Sequence, residues 1–318
     1  MITKKAGRTI VDIVGLGTVA MDVILQVDSL PKEDGFALVK HKNYLDGGSA
    51  TNVIVQASRL GVSCGFIAQI SDDDIGIAIK KGLDQENVDT KFMSIKKSGT
   101  SLHTTIVVGE QGEKFILLNM GDAFLTLDCN SVDIDFIKSA SIFYTDLLPG
   151  KAALYALKEA KKAGLKTVFN LQIGIPLMEQ LDVTKADILA ALPYVDVFAP
   201  CKEAFAQLTG TVNYTEKMGN FQKFFEGLLL VTLGSQGSAA AINNQIVTVP
   251  VYDVEVTDTT GAGDSYIGAF MYAYFIKQLQ LAAAMKFSSV CAAITCTNLG
   301  ARSSPHINQV EKILYSGV

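Results

Sequence analysis

The chain has 318 residues, 49% of them hydrophobic, and a formal net charge of −5. That length and apolar content allow one large α/β domain or two smaller ones around a sizeable core. The acidic balance argues against nucleic acid or an anionic membrane as partner. Five cysteines, at 64, 129, 201, 291 and 296, form no CxxC pair, a scatter that fits the reduced thiols of a cytoplasmic protein. Cys291 and Cys296 lie in an apolar helical run and read as packing rather than metal ligands. Residues 1–8 are basic but no apolar segment follows them, so no signal peptide is expected. The apolar stretch 281–299 is broken by Lys286 and several Ser and Thr, and reads as a buried helix rather than a membrane span.

In chain order, residues 10–14 form a short apolar strand, and 23–27 and 37–44 are further β-like runs separated by Pro31 and Gly35. Residues 48–60 have helical spacing that stops at Gly61. Strand and helix patterns then alternate: strand 64–70, helix 74–85, strand 141–145, helix 151–163, strands 166–170 and 195–199, helix 201–208, strand 228–233, and helices 262–277 and 280–297. Such alternation predicts a mostly parallel sheet flanked by helices. Residues 100–119 depart from it, because 101–108 and 114–119 alternate around 110–113 as a β-hairpin. With residues 20–46 the hairpin would make a small sheet outside the main one, able to act as a lid beside a binding face. No repeat, low-complexity tract or linker interrupts the chain, so residues 1–318 are expected to form a single domain.

One motif is a decoy. Gly15-Leu-Gly17-Thr-Val-Ala20 follows the first strand and matches G-x-G-x-x-A. The dinucleotide fingerprint requires a helix next and an acidic residue about twenty positions on. Val23, Ile24 and Val27 favour strand instead, and Pro31 prevents a normal first βαβ unit. No Walker A string is present.

The most informative stretch is Thr257-Asp-Thr-Thr-Gly261-Ala-Gly-Asp264-Ser-Tyr-Ile-Gly-Ala-Phe270. A β-branched run, 247–256, leads in, and an apolar, helix-length run, 266–276, leads out. The turn between them leaves the backbone N–H groups of Gly261, Ala262, Gly263 and Asp264 without helical partners. Such groups at a positive helix end bind anions, phosphate above all. A lone GxGD is more often only a helix cap. An anion cradle with a carboxylate beside it suits phosphoryl transfer to a hydroxyl. Asp264 would then orient the hydroxyl and take its proton late in the reaction. A carboxylate at a helix N-terminus has its charge stabilised, so Asp264 is expected to be a weak base in the ground state.

Asp-Thr-Thr-Gly-Ala-Gly-Asp resembles the C-terminal signature of the PfkB, or ribokinase-like, family of sugar and nucleoside kinases, and Gly47-Gly48-Ser49-Ala50-Thr51-Asn52 resembles the family's other signature. The resemblance runs from about Val11 to about Leu314. It implies a three-layer α/β/α fold with a mostly parallel central sheet and a β-lid built from 20–46 and 100–119. It also implies ATP with Mg²⁺ as phosphoryl donor, Asp264 as general base and the 261–264 turn as anion hole. Asp22 would accept two sugar hydroxyls, Gly47 and Gly48 would let the backbone close on a polar ring, and Asn52 would offer both donor and acceptor. Thr232-Leu-Gly234-Ser-Gln-Gly237 resembles the family's nucleotide loop, and Ser289 matches a position near the adenine. Asp258, Thr260, Thr295, Asn298, Gly300 and Ser304 match positions that hold a monovalent cation, K⁺, in family members. Some members pair lid to lid, which implies a homodimer.

Several positions depart from the family pattern. Ala20 and Ser49 stand where ribose-specific members have Asn and Lys. Pro200-Cys-Lys-Glu203-Ala204 replaces the Asn-x-x-Glu that organises the magnesium shell, with Glu203 one residue off register. Asn170-Leu-Gln172 replaces Asp-x-Asn. The expected activity is transfer of the γ-phosphoryl group of ATP to a hydroxyl of a small sugar or sugar acid. The alternatives are a nucleoside kinase of the same fold, for which Phe36, Tyr44 and Phe115 could line a base pocket, and a non-catalytic sugar-binding relative.

Overall fold

Short apolar runs set the frame. Ile13–Leu16, Cys64–Ile67, Ile142–Thr145 and Val197–Pro200 are buried at every position, the mark of parallel strands covered on both faces. In the computed structural model, which describes residues 11–111, 113–210, 214–243 and 245–315, these runs belong to a nine-stranded sheet. Its order is Gln245–Val249, Ser238–Ile242, Leu228–Thr232, Val197–Pro200, Lys166–Leu171, Ile142–Thr145, Ile13–Leu16, Cys64–Ile67, Val88–Asp89. Neighbours are parallel except at the first two pairings, where a meander closes the sheet antiparallel. Helices cover both faces. Gly150–Lys162 turns its small residues Ala152, Ala153, Ala156 and Ala160 inward against the neighbouring strands. Ser49–Arg59, Ala262–Met271 and Leu281–Cys296 pack on one another as a second layer. Among the described residues no helix is long and apolar enough to cross a membrane.

The second sheet is four-stranded, in the order Val39–Gly47, Ala20–Val27, His103–Val108, Lys114–Asn119. The hairpin expected at 101–119 is present, and its first strand pairs parallel with Ala20–Val27. The outer strand Lys114–Asn119 is exposed at every position.

Four local expectations differ from what forms. Residues 64–70 divide into Cys64–Ile67 and Gln69–Ser71, the latter pairing with Ser94–Lys96 in a separate two-stranded sheet. The β-branched run 247–256 leaves the sheet at Val249, because Pro250 has no N–H to continue a ladder. Residues 250–256 are therefore irregular and free to form a wall. The last long helix but one is α-helical only to Met271 and continues as a π-turn, Tyr272–Ile276. Cys201 caps the helix Lys202–Thr209 rather than starting it. Ile10, at the start of the first expected strand, lies outside the described residues.

In parallel register the strands Ile13–Leu16, Ile142–Thr145, Lys166–Leu171 and Val197–Pro200 end at one edge of the sheet. Ligand sites of open α/β sheets form beyond such carboxyl ends. Asp146, Gln172 and Cys201 follow those ends directly, and the small sheet rises from the same edge through Ala20 and Gly47.

Candidate active site

Gly261 is the N-cap of the helix Ala262–Met271, with φ 79°. A Cβ there would collide with the Ala301 carbonyl, so glycine alone fits both the left-handed backbone and the close approach. The first N–H groups of the helix have no intrahelical partners, but of the four donors expected at 261–264 that of Ala262 is taken within the turn by the Thr259 carbonyl (3.2 Å). A side-chain hydrogen bond from Ser265 Oγ to Gln56 Oε1 (2.7 Å) ties this helix to Ser49–Arg59. That pairing puts Asp264 against the first turn of the other helix. Asn52 Nδ2 donates to Asp264 Oδ2 at 3.0 Å and Ser49 Oγ donates to Oδ1.

Asp264 is 9% exposed. Burial pushes its carboxyl up to about 6, against the lowering effect of the Ser49 and Asn52 hydrogen bonds, and the Asp146 charge pushes the same way. The helix terminus alone would favour the charged form and make Asp264 a weak base, whereas burial, the largest influence on it here, raises the carboxyl. Asp146 is likewise raised to about 6 by burial, although Thr18 N (2.9 Å) and Leu148 N (3.1 Å) donate to it. Gln172 lies between the two acids, donating from Nε2 to Asp146 Oδ2 at 3.4 Å while its Oε1 touches Ser49 Oγ, whose single proton goes to Asp264.

On the small-sheet side, Asp22 accepts from Thr104 Oγ1, and a Cβ on Gly47 would lie 3.3 Å from Asp22 Oδ2. Gly48, the N-cap of Ser49–Arg59 with φ 83°, packs against the Val19–Ala20 backbone where any Cβ would collide. Asp22 and Gly47 thus lie side by side, Gly48 packs on the backbone just before Asp22, and the buried Asn52 joins this group to Asp264; both ends of its amide are taken within the protein, by Asp264 and by Arg302.

On the other side of the anion turn lies a cavity of about 550 Å³. Thr232, Gly234, Gly237, Ala262, Gly263 and Ser289 all line it. The irregular segment after Pro250 forms a wall of it, through Val251, Tyr252 and Val256. Ser289 anchors that wall: its Oγ accepts from Tyr252 N (3.1 Å) and donates to the Pro250 carbonyl (3.0 Å).

The six oxygen-bearing positions expected near a cation are only partly gathered. Asp258 Oδ1 accepts from Thr260 N and Oγ1, and Oδ2 accepts from Gly300 N, which closes a turn. The Thr295 carbonyl accepts from Ser303 Oγ, Asn298 Nδ2 donates to the Ile294 carbonyl, and both oxygens of Ser304 accept from Arg59. Glu203 Oε1 accepts from Gln207 Nε2 (2.9 Å) and borders Gly174. Ala204 is fully buried. Among the described residues no group of three or more His, Cys, Asp or Glu is placed to hold a metal ion.

Two residues of this site carried no role in the sequence reading. Asp146 had a usable signal, since an acid directly after a parallel strand stands at the functional edge. Arg302 had none: its side chain is 8% exposed, and nothing in Gly300-Ala301-Arg302 announces burial. Ser49 and Gln172, noted only as departures, prove to lie between the two acids.

A family model described as pfkB family carbohydrate kinase matches residues 11–308. The chain is 29% identical over 305 residues to an ATP-dependent ribose-1-phosphate kinase of Halopiger xanaduensis, covering 96% of this chain and 98% of that one. It is 26% identical over 293 residues to fructokinase-2 of Zea mays, covering 86% and 87%. Its fold is similar to that of Arabidopsis thaliana ribokinase complexed with ribose and ATP, with a TM-score of 0.80 at 21% identity over 96% and 99% of the two chains. The protein belongs to the pfkB family of carbohydrate kinases. It is a phosphotransferase with the ribokinase-like fold, a kinase of sugars or nucleosides.

Proposed function

We propose that the protein transfers the γ-phosphoryl group of ATP to a hydroxyl of a small sugar, with Asp264 as general base and the 261–264 turn as anion hole. The observation that carries this reading is the position of Asp264. It follows Ala262 and Gly263, which line the 550 Å³ cavity, and on its other side it accepts from Asn52, on the helix that Gly48 caps beside Asp22. The cavity's size and its glycine-rich floor suit a nucleotide. ATP supplies the phosphoryl group, and its magnesium supplies charge neutralisation on the phosphates. An ion that arrives on phosphates and keeps most of its waters needs no protein cage, and Glu203 is the candidate for contact through water.

The acceptor hydroxyl donates to Asp264, which holds it in line and receives its proton as the new phosphorus–oxygen bond forms. A carboxyl near 6 is mostly ionised at neutral pH yet more basic than an ordinary aspartate, which suits it to that transfer. The N–H groups of Gly261 and Gly263 stabilise charge on the transferring group, while that of Ala262 is held by the Thr259 carbonyl (3.2 Å). Asp22 orients the acceptor through charge-assisted hydrogen bonds. With three carboxyl groups, Asp22, Asp146 and Asp264, on the acceptor side, an uncharged polyhydroxy acceptor suits the site better than a sugar acid. The small sheet acts as the lid. Thr232, Gly234, Gly237 and Ser289 hold the nucleotide, and the turn joining Asp258, Thr260 and Gly300 is the place for K⁺.

The test is a panel of neutral sugars, sugar acids, sugar phosphates and nucleosides with ATP and Mg²⁺, read as ADP release. A neutral sugar is expected to give the highest kcat/KM. Turnover confined to anionic acceptors would reject the assignment of the acceptor.

A further inference from the structure

Arg302 is a cation held where a cation is unfavourable. Its guanidinium lies at the N-terminus of the helix Ser49–Arg59, the positive end of that dipole. Burial lowers its basicity, and Arg59 adds like charge, against Asp46 and Glu86. Nothing about the stability of that helix calls for it. Its contacts do have a common direction. Nε donates to Asn52 Oδ1 (3.2 Å), Nη2 donates to the Gly47 carbonyl (2.8 Å) and to Thr51 Oγ1 (3.1 Å), and Nη1 faces Asp46 Oδ1 (3.2 Å) as an ion pair. Nη1 is buried and makes no hydrogen bond.

The Asn52 contact bears on the chemistry. With Oδ1 held by the guanidinium, the Asn52 amide presents its NH₂ to Asp264. The flipped amide would set N–H against the guanidinium and oxygen against the carboxylate, two repulsive contacts. Asp46 and Gly47 end the lid-sheet strand Val39–Gly47, so the same guanidinium joins that strand to the amide beside Asp264. We propose that Arg302 is a positioning residue for Asp264: it locks the Asn52 amide as donor to the carboxylate and ties that pair to the end of the lid strand. The inference rests on the reading of Asp264 as base.

The groups facing Asp264 come from three elements. The strand end at Thr145 brings Tyr144 and Asp146, the helix brings Ser49 and Asn52, and the C-terminal segment brings Arg302. Asp146 disfavours ionisation of Asp264, whereas Arg302 favours it. Loss of Arg302 therefore raises the midpoint at which Asp264 ionises.

The experiment is a pH titration of protein labelled with ¹³C at the aspartate carboxyls. The resonance missing in Asp264→Asn identifies Asp264. Its midpoint is expected to rise by roughly one pH unit in Arg302→Met and to rise in Asn52→Ala. The double variant is expected to rise less than the sum, because Arg302 acts through Asn52. Arg302→Lys keeps the charge and loses the fork, so its midpoint should rise by a smaller amount, and it serves if Arg302→Met does not fold. A midpoint unmoved in the folded variants, or shifts that add fully, would overturn the positioning role. Turnover of Asp264→Asn is measured beside it: undiminished turnover rejects Asp264 as base, whereas an unmoved midpoint with turnover abolished rejects only the role of Arg302.

Discussion

Asp264 combines two features that pull against each other. It must be ionised to accept a proton, yet it is buried beside a second acid, Asp146, and both carboxyls are raised to about 6. Replacement by Asn should preserve fold and nucleotide affinity and lower kcat by roughly 10²–10⁴-fold, the scale of a positioned base. Wild-type kcat should fall as pH drops through about 6, where Asp264 takes up its proton. Steady-state kinetics across pH 5–8 check both expectations. The same burial has a stability consequence of the opposite sense. A carboxyl raised from 3.8 to about 6 contributes stability that is fully present below about pH 4 and lost as pH rises through 6. Asp264→Asn escapes that loss. It should be more stable than wild type by about 1–3 kcal/mol at pH 7.5, read as a Tm higher by a few degrees, with the gain vanishing near pH 4. An Asn variant less stable at pH 7.5 would mean that the Ser49 and Asn52 hydrogen bonds outweigh desolvation.

At the scale of elements, the informative piece is the segment that leaves the sheet. Residues 250–256 have strand composition, but Pro250 ends the ladder and the segment becomes the wall of the cavity. Ser289, on the helix Leu281–Cys296, holds that wall through two hydrogen bonds. Ser289→Ala removes both, each with a net value of about 1 kcal/mol. KM for ATP is therefore expected to rise several-fold while KM for the sugar stays constant. Equal effects on the two would show that the segment does not belong to the nucleotide side.

At the scale of the whole molecule, the small sheet presents an outer strand whose residues Phe115, Ile116, Leu117 and Leu118 are all exposed, together with Val39, Tyr44 and Leu45 across the sheet. Open edges and contiguous apolar surface are sites of association. We expect a homodimer formed lid to lid, with a light-scattering mass twice that of the chain at micromolar concentration. Ile116→Lys with Leu118→Lys should reduce that mass to the monomer's. A wild-type monomer would reject the arrangement.

The amino-acid sequence by itself determined the features that depend on neighbours along the chain. The glycine turn at 261–264, the Gly47-Gly48 pair, the alternation of strand and helix and the hairpin at 101–119 are all local, because backbone conformation and hydrophobic period are set within a few residues. Strand ends and the path of 250–256 were less readable, since β-branched composition does not say whether a partner strand is present. What only the tertiary structure decided was the electrostatics of the site. Ser49 and Asp264 stand 215 positions apart, and Arg302 and Asn52 stand 250 apart. Their meeting depends on the packing of Ser49–Arg59 against Ala262–Met271 and on the return of the C-terminal segment over Gly261. A local reading of Asp264 sees a helix terminus that favours its charge. In the folded chain the dominant influence is the loss of water around it, and desolvation is a property of what covers a group.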